Sequence, residues 1–176
     1  IRDTPPDPFT LETDAELAAY DVILETTRGE ITLEMRPDLA PVTVRRFLQW
    51  VAAGIYDGMQ IFRVAPNFVI QTGALFYRET PLLAAQQALV EPLPPEFTDT
   101  PNEPGVVSIA RDTDPNSGST SFFICTGACE ALTGQYTVFA RVSGGMDVVE
   151  AITGVEVEGE RPVTPIVITR AHAQRR

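Results

Sequence analysis

Arg63 has the setting that most invites chemistry. It lies in the run Phe62-Arg63-Val64-Ala65-Pro66-Asn67-Phe68-Val69-Ile70-Gln71-Thr72-Gly73, where apolar residues alternate as in strands on either side of a Pro-Asn break. A second strand-like run, rich in aromatics, follows at Ser121-Phe122-Phe123-Ile124-Cys125. Alone, an arginine in a strand reads as a surface side chain, Phe68 and Phe123 as ordinary core, and Gln71 as a partner for backbone groups. Together they offer a permanently charged, planar set of donors above an apolar hollow. An arginine held in that way can bind and twist a proline-containing peptide.

Other constellations fail. Asp112-x-Asp114-x-Asn116 begins like a calcium loop, but Gly118 comes one place late and Phe123 stands where the acidic twelfth ligand belongs. It reads as a solvated turn. The single histidine, His172, sits near a frayed chain end, so no Ser-His-Asp triad is expected. No glycine-rich phosphate loop is present. Trp50 reads as packing on a helix. Cys125 and Cys129 fit neither a zinc ribbon nor a redox CxxC. Cys125 reads as a small buried hydrophobe, and a disulfide between the two stays open for an oxidising compartment.

The elements that must position Arg63 begin after an extension. Residues 1–19 start with Thr4-Pro5-Pro6-Asp7-Pro8, too rich in proline for a helix or inner strand, and Asp14 to Tyr20 suits one helical turn. This segment is expected to lie along the surface or to tether a domain spanning 20–176. In that domain Val22 to Glu25 and Ile31 to Met35 flank Arg28-Gly29 as a hairpin. Pro41 opens a helix whose Val44, Phe47, Leu48 and Val51 form one apolar stripe, and Gly54 stops it. Strands are expected near Gln60–Val64, Phe68–Thr72, Val106–Ala110, Ser121–Thr126, Val138–Val142 and Val163–Ala171. Leu82 to Val90 holds helix formers that Pro92 ends, and Asp147 to Ile152 forms a late helix. About eight strands and two principal helices predict a mainly β fold. A closed eight-stranded antiparallel β-barrel capped by two α-helices would leave no free edge.

Length suits one domain with a sizeable core. The net charge is −11 and every positive charge is an arginine; the acidic balance argues against binding nucleic acid. No apolar run is long enough to span a membrane.

From Asp21 to the last strand the chain resembles the cyclophilin family of peptidyl-prolyl isomerases, a bacterial-like member. The resemblance rests on Phe62-Arg63 with Pro66-Asn67-Phe68 and Gln71-Thr72-Gly73, on Gly105-Val106-Val107-Ser108-Ile109-Ala110, on Asn116 to Ser119 with Phe122-Phe123-Ile124, and on Leu132 to Phe139. It implies that Arg63 is the catalytic arginine and that Gln71 orients it. It implies a proline pocket of Phe68, Val69, Phe123, Leu132 and Tyr136, and a substrate edge at Ala110 and Arg111. Ser121 stands where the family usually has glutamine, at a position that meets substrate. Tyr136 replaces a histidine common in eukaryotic members. Ala131 replaces a tryptophan that helps hold cyclosporin, so weak cyclosporin binding is expected. Residues 75–95 lack the family's Gly-rich loop.

The resemblance further implies a monomeric isomerase without cofactor or metal, acting on proline-containing peptides and unfolded proteins. Two rivals remain. One is a weakly active module that holds proline-containing segments as a chaperone or scaffold; the other is a structural role in an envelope assembly with 1–19 as anchor. A start at Ile1 suits processing after an export signal, or trimming, so a periplasmic or exported location is expected, with a cytoplasmic one open.

Overall fold

The hairpin forms as expected, with β1 (Tyr20–Thr26) and β2 (Gly29–Met35) antiparallel and Val22 opposite Leu33. The computed structural model describes residues 8–176, and the start of the proline-rich run falls outside them. The remaining strands are β3 (Met59–Gln60), β4 (Arg63–Ala65), β5 (Val69–Thr72), β6 (Val106–Ile109), β7 (Phe122–Cys125), β8 (Val138–Gly144), β9 (Val157–Glu158), β10 (Arg161–Pro162) and β11 (Val167–Arg175). Helices are α1 (Asp14–Leu17), α2 (Pro41–Ala52), α3 (Ala84–Gln87) and α4 (Met146–Thr153).

The expected closed eight-stranded barrel is corrected to a curled nine-stranded sheet, a half-barrel, in the order β3-β11-β1-β2-β8-β6-β7-β5-β4. β9 and β10 form a separate small hairpin. The end strands β3 and β4 come from one expected strand, Gln60–Val64, which breaks at Ile61-Phe62. There Ile61 N donates to Ile166 O at 2.8 Å and Phe62 N donates to Gln71 O at 3.1 Å. The chain thus steps from one end of the sheet to the other instead of closing a ladder.

α2 follows from its sequence. Val44, Phe47, Leu48 and Val51 are all fully buried, and Gly54 leaves the helix at φ +76°. Its first turn has no local cap. Glu96, far along the chain, accepts instead from Thr43 N at 2.7 Å and Val42 N at 3.2 Å. A carboxylate there satisfies orphan donors and favours the helix dipole. Phe47 carries the centre of the core, with ring centroids of Tyr56, Phe122 and Phe139 at 5.1, 5.5 and 4.9 Å. Tyr56, wholly buried, donates its hydroxyl to Thr120 O at 2.9 Å. Trp50 is buried and donates to Leu89 O at 2.8 Å.

Two further expectations are revised. The helix formers of Leu82–Val90 give only the single turn α3, tied to α2 because Gln86 Nε2 donates to Ala53 O at 2.9 Å. The last strand runs Val167–Arg175 and does not fray, because β1 pairs with it from Tyr20 opposite Arg175. His172 therefore lies within a strand. Residues 9–17 lie on α2: Thr13 caps α1, Leu17 enters the core, Phe9 meets the Tyr20 ring edge-on at 5.1 Å, and Arg45 pairs with Asp14 at 2.9 Å. Among the described residues no helix is long and apolar enough to cross a membrane.

Candidate functional site

Side chains alternate across a strand, and on β4, β5 and β7 that alternation separates two apolar regions. Val64, Ile70, Phe122 and Ile124 face the main core. Ala65, Val69, Phe123 and Cys125 face the other way and form a second cluster with Cys129, onto which Phe68, Ala110, Leu132 and Tyr136 pack. Register aligns the polar members: Arg63 opposes Gln71, and Gln71 opposes Phe123. The β4–β5 turn is dictated locally. Pro66 occupies its second position and Asn67 its third, at φ +57°, with Phe68 N donating to Ala65 O at 3.0 Å. This is type II chemistry, because proline cannot take the positive φ of the hairpin types.

These side chains surround a cavity of about 260 Å³ lined by Arg63, Phe68, Val69, Gln71, Ala110, Arg111, Phe123, Leu132 and Tyr136. Every residue named for the site from the sequence is there except Ser121. Arg63 hangs over the mouth, its Cζ 5.8 Å from the Phe68 ring centre. Its Nη1 donates to Gln71 Oε1 at 3.4 Å, a long bond, and its Nε donates to Glu160 Oε1 at 3.1 Å. Among the described residues Nη2 has no partner, so its hydrogens are free for a ligand.

Ser121 sits behind the pocket, not on its rim. Its hydroxyl accepts from Gln71 Nε2 at 3.1 Å and donates to Thr72 O at 3.1 Å. That fixes which way the Gln71 amide points and presents its carbonyl oxygen to Arg63. Tyr136 forms a wall, edge-on to Phe123 at 5.3 Å. Arg111 braces that wall: its guanidinium lies 4.7 Å from the Tyr136 ring and 5.6 Å from the Phe97 ring, and its Nη2 donates to Gln135 O at 2.7 Å. With these bonds made, the Arg111 head is a strut more than a free donor. The neighbouring Asp112 carboxyl is held below its ordinary range, first by the Ser117 hydroxyl and then by the Asp114 N–H. Asp112 and Asp114 accept from backbone N–H groups within this turn, at 2.7 and 2.9 Å.

The sequence missed one feature and left a second open. Glu160 comes on the β9–β10 hairpin, whose two-residue arms carry no periodic signal; only Gly159 marked a turn. Its backbone oxygen also accepts from Val64 N, at 2.6 Å, so the hairpin is fastened to β4. The other is the disulfide. Cys125 and Cys129 are bonded to each other and fully buried beneath the cavity, which revises the reading of Cys125 as a lone buried hydrophobe.

Residues 21–173 match the family model described as cyclophilin type peptidyl-prolyl cis-trans isomerase/CLD. A probable peptidyl-prolyl cis-trans isomerase of Brucella suis is 36% identical over 157 residues, covering 85% of this chain and 80% of that protein. A peptidyl-prolyl cis-trans isomerase of Streptomyces antibioticus is 37% identical over 164 residues, covering 85% and 96%. In fold, the chain is similar to a cyclophilin of Hirschia baltica with a TM-score of 0.72 at 24% identity, covering 88% of this chain and 73% of that one. A cyclophilin type isomerase of Cryptosporidium parvum, solved in the presence of the dipeptide Ala-Pro, gives 0.77 at 19% identity, covering 89% and 99%. The chain belongs to the cyclophilin-type peptidyl-prolyl cis–trans isomerases.

Proposed function

We propose that Arg63 drives rotation about X–Pro bonds by donating from its open guanidinium edge to the imide nitrogen. The bond turns slowly because amide resonance sets a barrier of roughly 20 kcal/mol. Twisting breaks the resonance and leaves a lone pair on nitrogen. A donor aimed at that lone pair binds the twisted state better than either planar isomer, and only such differential binding accelerates a reaction. Phe68, Val69, Phe123, Leu132 and Tyr136 grip the proline ring, so one side of the bond stays fixed while the other turns. Gln71, and Ser121 through it, position Arg63; Ala110 and Arg111 form the edge beside the substrate. No nucleophile is needed.

The observation that carries this reading is a guanidinium at the mouth of an apolar cavity with donors to spare. Arg63→Ala is expected to cut the isomerisation rate on a proline peptide about a hundredfold or more, the scale of losing one preorganised donor at a transition state. It should leave the thermal midpoint almost unchanged. An unaltered rate would show that the cavity binds without Arg63 catalysis.

The same reading takes proline-containing segments of unfolded proteins as substrate, and a single copy as the working unit. It also gives weak cyclosporin inhibition because Ala131 offers no ring; tight inhibition in a titration would count against that. The disulfide supports an exported, oxidising location.

A further inference from the structure

Beside Arg63 lies an aromatic shelf that bond rotation does not use. Phe62 and Tyr77 lie face to face, centroids 4.4 Å apart and planes 8° from parallel. Phe76 meets Tyr77 edge-on at 5.1 Å and is itself 87% exposed. The Arg161 guanidinium lies 5.0 Å from the Tyr77 ring, and its Nη2 donates to Gln60 Oε1 at 3.2 Å. The turn that carries Phe76 and Tyr77 is braced: the next residue, Arg78, donates from Nε to Ile55 O at 3.1 Å and from Nη1 to Thr80 O at 2.7 Å. An isolated exposed phenylalanine is unremarkable in a protein surface. A braced stack of rings that begins one residue from Arg63 is a different object.

Shelf and cavity are joined twice. Phe62 is the chain neighbour of Arg63, and Arg161 is the chain neighbour of Glu160, which holds Arg63 by Nε. Adjacent Cα atoms are about 3.8 Å apart, and an extended peptide advances about 3.3–3.6 Å per residue. A polypeptide whose proline fills the cavity therefore reaches the shelf within a few residues.

We infer that Phe62, Phe76 and Tyr77, with Arg161 fixing Tyr77, form a second substrate subsite that takes an aromatic or large aliphatic side chain within three residues of the isomerised proline. The inference rests on the Arg63 cavity being the proline site. Its occupant is the substrate chain, because Phe62 and Arg161 directly adjoin, along the chain, Arg63 at the cavity and the Glu160 that holds it. A second copy of this protein is a poor occupant, since each copy carries a net charge of −11 and like charges repel.

The test is a set of proline peptides carrying Phe or Ala at each of the three positions before and after the proline, with kcat/KM measured for each. At one of those positions Phe should be preferred over Ala by roughly 3- to 10-fold, the worth of one aromatic pair, chiefly through KM. In Phe76→Ala and, separately, in Tyr77→Ala, that Phe/Ala ratio should fall toward unity. The Phe76 ring is almost wholly in water, so its removal leaves the fold intact; the ratio within each variant also cancels any general loss of activity. A wild type that turns over all peptides without preference, or a ratio unmoved in both variants, overturns the shelf and leaves the proline site standing. Failure of every peptide removes both. Self-association that Phe76→Ala abolishes would assign the shelf to a second copy and overturn the proposal.

Discussion

Phe122 and Phe123 are consecutive on β7 and nearly equally buried, yet they serve two regions built on different principles. Phe122 sits among Phe47, Tyr56 and Phe139, enclosed by α2 and the curled sheet. Its region is held by depth, with apolar contacts on every side. Phe123 sits on the outer face, over Val69, Cys125 and Cys129, with Tyr136 edge-on and the cavity above. That region must stay open on one side to admit a ligand, so packing alone cannot fix it. It relies on cross-links: the disulfide below, the Arg111 strut to Gln135 at the wall, and the chain from Thr72 through Ser121 and Gln71 to Arg63 at the mouth. A binding floor thus borrows rigidity from bonds where a core obtains it from contacts.

The sharpest way to break this contrast is to delete each ring in turn. Phe122→Ala should cost about 3–5 kcal/mol of stability in a denaturant titration, as for a large ring lost from a packed core. Phe123→Ala should cost less, because its neighbours already face a cavity, but should weaken binding of a proline peptide far more than its stability loss explains. Equal stability losses with equal effects on binding would erase the distinction between the regions.

Next in size is the cross-link. Cys125→Ser with Cys129→Ser should lower stability by about 2 kcal/mol on the loop-entropy scale for so short a loop. The larger relative change should be in KM, because the bond ties β7, bearing Phe123, to the turn Glu130–Leu132 that carries Leu132. A double variant with native KM would show that the floor needs no staple.

The smallest effect concerns the closed region and its pH response. Burial raises the Tyr56 phenol well above its ordinary pKa near 10. The folded protein keeps a proton there that the unfolded chain releases, so this contribution is intact below about pH 10 and is lost as pH rises beyond it. Tyr56→Phe should flatten that alkaline decline while costing about 1–2 kcal/mol at neutral pH, since Thr120 O loses its donor. An identical alkaline profile in the variant would place the sensitivity elsewhere.

The Arg63 cavity was legible through a family motif because part of it is local. Arg63, Val69 and Gln71 lie on two strands joined by the turn Pro66-Asn67-Phe68, and once the register is set they share a face. α2 was legible for the same reason, its stripe being a property of consecutive turns. What failed was non-local. Whether Arg63 needed an anion, and which one, depended on a hairpin far along the chain. The cap of α2 came from Glu96 and the partner of the final residues from β1, and neither is visible in the segment it completes. Ser121 was matched to a substrate-contacting position by resemblance alone, and its hydroxyl turns to Gln71 and Thr72.

Alternation, turn chemistry and helical spacing are short-range, so the sequence by itself determined most strands and the principal helices, while its resemblance to the family named the side chains that ring the cavity. The half-barrel curl of the sheet, the pairing of Cys125 with Cys129, and the second hold on Arg63 were decided only in three dimensions. Each joins groups whose meeting depends on how the whole chain curls, and that curl follows from many contacts at once, none of which is written at a single position.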